Sequence, residues 1–140
     1  MAPTLPHQEF SLRQKLNKAK KLALLLEDRL AQGVSLFQVI QPNALYDYVI
    51  VAGVTSKPHL QALEGCCRRE LKEWGFELTK PTEGRTSSSW RVVDGGFLVI
   101  HLMTQEARKR YNLENVWSNG KTVAFAKNKK TVKKRARVLV

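Results

Sequence analysis

The spacing of apolar residues changes repeatedly along this chain, and those changes limit the folds open to it. Leu12, Leu16, Ala19, Ala23, Leu26 and Leu30 recur at steps of four and three, on one face of a helix that Gly33 can end. The runs "VSLFQVI" and "YDYVIVA" are instead β-branched and aromatic, with Pro42 and Asn43 between them, and read as two strands joined by a tight connection. Helical spacing returns at Leu60, Leu63, Cys67, Leu71 and Trp74, with Ser56 as the cap, Pro58 in the first turn and Gly75 as the stop. Trp74 is expected in the core. A polar loop over residues 79–88 leads into "SWRVVDGGFLVIHLM", a strand, a turn and a strand in which Asp94, Gly95 and Gly96 supply positive-φ positions. Thr104 then caps a short helix, "QEARKRY", with Glu106 near its positive end. Helix, strands, helix, hairpin, helix predicts a layered α/β domain: a mixed β-sheet flanked by helices.

The chain has 140 residues, enough for one domain plus tails. Its net charge of +12 is uneven: eight basic residues and no acid follow Ser118, leaving +4 on residues 1–117. A segment such as "KNKKTVKKRAR" has too little apolar content to fold alone. It reads as a mobile arm that seeks polyanions, with Lys129, Lys130, Lys133, Lys134, Arg135 and Arg137 as candidate nucleic-acid contacts; the other reading is a solvated tail without a specific partner. The expected partition is an N-terminal extension over 1–10, a domain over 11–118 and a basic, disordered tail over 119–140. No apolar run approaches the roughly 20 residues needed to cross a bilayer, and "MAPTLPHQEF" lacks the apolar core of an export signal. A soluble, cytoplasmic protein with no membrane partner is expected. Cys66 and Cys67 are adjacent, too close for a useful disulfide and without zinc spacing, so they read as structural thiols of a reducing compartment.

Catalytic constellations are not visible. His7, His59 and His101 are scattered, and His101, inside an apolar strand, reads as a buried, hydrogen-bonded histidine rather than a base. No phosphate-cradling G-x-x-x-x-G-K-[ST] loop occurs. The glycine pair of "GGFLVIH" is faintly similar to nucleotidyltransferases, but those enzymes need paired carboxylates to hold magnesium, and the strand here offers Phe97, Leu98, Val99 and Ile100. The expectation is a protein that is not an enzyme and carries no cofactor or metal.

A different resemblance lies downstream. Trp90-x-x-x-Asp94-x-Gly96-x-x-x-x-His101, followed by Glu106-Ala107-Arg108-x-x-Tyr111-x-Leu113-Glu114-x-x-Trp117, resembles the ribosomal silencing factor family, also called Iojap or RsfS. "ALLLEDRLAQGVSLFQV", "DYVIVAGVTS" and "PTEG" resemble the family's first helix and strand, its capped second strand and its loop, so the likeness covers roughly residues 19–117. This chain differs in having Phe97 where an acid is usual and Val54-Thr55-Ser56 where the family has G-T-S. The resemblance implies a nucleotidyltransferase-like α/β fold without the catalytic carboxylates. It further implies binding to the large ribosomal subunit at its intersubunit face, through ribosomal protein fourteen of that subunit, so that the small subunit cannot join and translation is repressed. A homodimer of the free protein is also within what it implies. On this reading Trp90, Tyr111, Leu113 and Trp117 are candidate contacts to the ribosomal protein, with Asp94, Arg108 and Glu114 as rim charges that set register and encounter rate.

Three functions from different classes follow: a steric silencing factor, a general RNA-binding or ribosome-assembly module driven by the basic tail, and a relic nucleotidyltransferase. The first is preferred because four family motifs stand in register. The second predicts binding to unrelated RNA that weakens steeply with salt.

Overall fold

The computed structural model describes residues 10–40, 44–76, 89–112 and 120–125. Among them, eight elements run in the order α1 (Leu12–Asp28), β1 (Gln32–Gln38), β2 (Tyr48–Val54), α2 (Lys57–Glu73), β3 (Trp90–Asp94), β4 (Leu98–Thr104), α3 (Gln105–Tyr111) and β5 (Lys121–Thr122). The strands form one mixed sheet in the order β3-β4-β2-β1-β5. Only β2 and β4 are parallel, with Tyr48 opposite Leu98 and Val54 opposite Thr104; the remaining pairs are antiparallel. The intervening α2 supplies the crossover that a parallel pair requires. The expected α/β layering is therefore what the chain adopts.

Local chemistry explains most boundaries. Ser11 accepts from the Gln14 N–H while the Gln14 side chain accepts from the Ser11 N–H, so a reciprocal capping box opens α1. Ser56 caps α2 through the His59 N–H, with proline in its first turn, and Gly75 at φ 95 follows its end. The His59 ring bonds the Thr55 N–H at 3.1 Å and the Arg29 carbonyl at 3.0 Å, joining the start of α2 to the end of α1.

The first helix departs from its expected pattern. It ends at Asp28, and the left-handed turn after it is made by Leu30 at φ 70 rather than by Gly33. Its buried stripe is Ala19, Leu22, Ala23 and Leu26, while Leu12 and Leu30 are exposed. Gly33, at φ 56, lies in β1, where the register with β2 shifts between Gln32 and Ser35. Such an irregularity bends the strand and re-aims its side chains.

On the α1/α2 side, Leu22, Leu26, Leu36, Ile50, Leu98, Ile100 and Leu102 are wholly buried. Trp74 belongs to this core as expected, its Nε1 donating to Glu70 at 3.1 Å. Its ring stacks on Phe97 at 6.0 Å, and Phe97 also meets Phe76 at 6.1 Å and Phe10 edge-on at 6.2 Å. Phe97 thus turns inward as part of an aromatic cluster. Arg91 is buried here too, ion-paired with Glu64 of α2. Cys66 and Cys67 are free and buried, and burial pushes both thiols up from their ordinary range.

In the β3–β4 turn only Gly96 has a positive φ, 82°, and its N–H bonds the Asp94 carboxylate at 2.9 Å. Gly95 is needed for a different reason. A Cβ there would sit 2.7 Å from Leu71 Cδ2 and 3.0 Å from the Leu98 carbonyl oxygen, so the hairpin packs on α2 only through a residue without a side chain.

The expected domain end at residue 118 falls short of the folded body. β5 pairs with β1, Phe37 opposite Thr122, and Val123 and Phe125 pack against the core.

Candidate functional site

The opposite face of the sheet is covered differently. Phe37, Val49, Val51 and Met103 are buried there beneath Ala107 of α3, with Val39, Tyr46 and Trp90 half-buried around them. Alternation along β3 and β4 points Trp90 and Val92, and Val99, His101 and Met103, to this side. Trp90 is opposite Met103 and Val92 opposite His101. Trp90 and His101 are therefore diagonal neighbours, and the Trp90 Nε1 donates to His101 Nδ1 at 3.1 Å. That bond requires an unprotonated Nδ1, and burial lowers the His101 pKa from 6.5 to about 4. His101 is thus the hydrogen-bonded histidine that its place in an apolar strand suggests, though half-buried rather than fully enclosed.

A short helix positions the second aromatic. Thr104 accepts from the Ala107 N–H at 3.1 Å, Glu106 lies in the first turn, and three cations lie in the last, an arrangement suited to the helix dipole. Asn112 ends α3 in the left-handed region at φ 48. Tyr111, the last residue, is thereby carried over Trp90 with ring centres 4.9 Å apart, yet remains 51% exposed. Beside it is a small cleft of about 130 Å³ bordered by Ser89, Thr104 and Arg110.

The expected rim charges separate. Asp94 is exposed at the far end of β3, four residues from Trp90 and so roughly 13 Å away along the strand. Arg108 is not at a rim but 8% exposed, its Nη1 donating to the Gln32 carbonyl at 3.2 Å and its Nη2 to Ser35 Oγ at 3.4 Å. A Cβ on Gly33 would lie 3.0 Å from that Nη1. The irregular stretch of β1 and the missing side chain together make room for the guanidinium, which fixes α3 to the strand. The glycine was conspicuous in the sequence, but its partner lies 75 positions downstream. Leu113, Glu114 and Trp117, the "PTEG" loop and the candidate tail contacts Lys129, Lys130, Lys133, Lys134, Arg135 and Arg137 lie outside the described residues.

An aromatic pair half open to solvent on a rigid sheet is chemistry for contact, since tryptophan and tyrosine bury much area and lose few rotamers when covered. Among the described residues no group of three His, Cys, Asp or Glu could hold a metal ion, and no helix is long and apolar enough to cross a membrane.

Residues 12–138 match the family model described as ribosomal silencing factor during starvation. The chain is similar to the ribosomal silencing factor RsfS of Chromobacterium violaceum, 30% identical over 112 residues, which cover 79% of this chain and 90% of that one. It is also similar to the mouse protein named mitochondrial assembly of ribosomal large subunit protein 1, 31% identical over 99 residues, 69% of this chain and 43% of that one. A crystal structure of a Chromobacterium violaceum protein superposes with a TM-score of 0.65 at 30% identity, covering 79% of this chain and 92% of that one.

Proposed function

Because this chain belongs to the ribosomal silencing factor family, we propose that it binds the large ribosomal subunit at its intersubunit face, through ribosomal protein fourteen, and blocks joining of the small subunit by occupying space. The mechanism is steric and involves no reaction. The observation that carries the reading is Tyr111, half exposed over Trp90 on the face that the short α3 covers only in part. Covering the open half of such a ring removes on the order of 100 Å² of largely apolar surface from water, a contribution of roughly 2 kcal/mol.

Trp90 and Tyr111 act as anchors, and Asp94 at the hairpin tip sets register. Arg108 serves indirectly, by holding α3 on β1 so that Tyr111 is presented in one place. Leu113, Glu114 and Trp117 follow α3 directly and extend the contact, on the strength of the motif that they share with the family. The setting is the cytoplasm, with which two free, buried thiols agree.

Sedimentation tests the reading. The protein should travel with isolated large subunits and not with small ones, and in a mixture it should lower the yield of joined ribosomes. Equal recovery with both subunits at moderate salt, or unimpaired joining at saturation, would refute it.

A further inference from the structure

Trp90 begins β3, and β3 closes one end of the strand order with β4 beside it. A large side chain at the start of an outermost strand turns about two torsions, so its ring can lie over the sheet or swing out past the edge. Met103, directly opposite on β4, and Ala107 of α3 offer the indole an apolar bed, which rewards contact but fixes no direction. Direction comes from the indole N–H. It donates to His101 Nδ1 at 3.1 Å, with ring centres 5.9 Å apart, and such a bond weakens steeply once its angle bends.

His101 is well placed to impose that direction. It lies in the middle of β4, paired with Val51 of β2 on one side and Val92 of β3 on the other, so its own backbone is held by two strands. Its neighbours along β4 on the same face are Val99 and Met103, both apolar. Packing alone would be served at this position by a valine or a leucine, without the cost of half-burying a polar ring. Histidine adds an acceptor, and the indole uses it.

The effect carries to Tyr111. Its ring centre is 4.9 Å from that of Trp90, and half of its surface is open to solvent. With seven residues α3 is too short to be stiff without support from what lies beneath it, and Tyr111 is its last residue. Trp90 is thus the seat of Tyr111, and His101 sets the seat.

We infer that His101 is a positioning residue for the contact surface: by holding the Trp90 indole in one orientation, it orders Trp90 and Tyr111 before the ribosomal partner arrives. The inference rests on the proposed large-subunit contact and adds to it a residue that works through Trp90. Two aromatic side chains fixed in advance lose little rotamer freedom on binding, a difference that corresponds to about tenfold in affinity.

The affinity of full-length variants for isolated large subunits, with their unfolding midpoints recorded alongside, tests this. His101→Leu keeps an apolar side chain without the acceptor and should weaken binding about tenfold. His101→Asn returns an oxygen close to the place of Nδ1 and should recover most of that loss. His101→Gln, whose amide reaches the place of Nε2 instead, should share the loss, which keeps the test open if the leucine variant does not fold. Trp90→Phe removes the donor, so adding His101→Leu to it should weaken binding by less than about twofold further, as expected when two residues act through one bond. Equal losses for leucine, glutamine and asparagine, or a full tenfold loss from His101→Leu in the Trp90→Phe chain, would make His101 a packing residue and overturn the assignment. So would unchanged binding by a folded His101→Leu chain. A wild-type chain that binds no large subunit would overturn the proposed function and this inference together, whereas the other adverse outcomes, seen with a wild type that binds, overturn this inference alone.

Discussion

On the sheet face beneath α1 and α2, side chains such as Leu26, Leu36, Ile50, Ile100 and Leu102 have no exposed surface, whereas beneath α3 burial is graded. Val49 and Val51 are fully covered there, Val92, Val99, His101 and Trp90 are half-covered, and Tyr111 is half open. The contrast follows from helix length: two helices of 17 residues can roof one face, and a helix of seven cannot roof the other. On the proposed function, stability and recognition are divided between the faces. The first can be damaged without altering the contact chemistry, and the second can lose its contact chemistry with little damage to the fold.

Three measurements would break or sharpen this contrast, in order of their expected effect on stability. Leu26→Ala removes a wholly buried side chain from the roofed face and should cost about 3 kcal/mol in denaturant unfolding. A loss below about 1 kcal/mol would show that this face is not the main source of stability.

Acid should act next, and through the graded face. His101 in the folded protein takes up its proton only near pH 4, while in the unfolded chain it does so near 6.5. Below pH 6.5 the unfolded state holds the additional proton, so stability that is complete above 6.5 is lost as pH falls toward 4. The loss should reach about 2 kcal/mol after discounting for the partial exposure of the ring. His101→Leu should flatten the dependence of unfolding midpoint on pH across that window; an unchanged slope would assign it to other groups.

The smallest effect on stability, and the most informative one, belongs to Tyr111→Ala. Its unfolding free energy should change by about 1 kcal/mol or less, whereas affinity for the large subunit should fall about thirtyfold, or roughly 2 kcal/mol. A variant that loses stability and keeps affinity would return Tyr111 to the core and erase the distinction between the faces.

What could be read from the sequence, and what could not, depended on distance along the chain. The caps of Ser56 and Thr104, the stop at Gly75, the hairpin at Asp94 and the core placement of Trp74 all arise within a few residues, and local chemistry was enough to place them. The register of α1 was less determined: leucines near both ends fit the helical period as well as Leu22 does, and only the extent of the sheet beneath decides which are covered. Gly33 announced a special backbone position but not its cause, which is a guanidinium from α3. For the same reason Arg108 reads in the sequence as a surface charge, and nothing adjacent to Arg91 marks it as buried against Glu64. Tyr111 and Trp90 stood out as a motif, but their mutual contact and unequal exposure come from the diagonal pairing of β3 with β4 and the length of α3. A two-residue strand such as β5 has no periodicity to detect and exists only through its partner.

That brief strand has a consequence for the health of the chain in solution. β1 lies next to the edge of the sheet, and among the described residues the side away from β2 is covered only by the pairing of Phe37 and Gln38 with Lys121 and Thr122, extended by the Val123 N–H on the Leu36 carbonyl at 2.8 Å. Uncovered strand edges recruit further strands from neighbouring molecules and start aggregates. Residues 120–125 therefore work as a selvedge: a chain cut short before Gly120 would keep its aromatic motif yet expose β1 to edge-to-edge pairing, so that its loss of activity would reflect clumping rather than a missing contact.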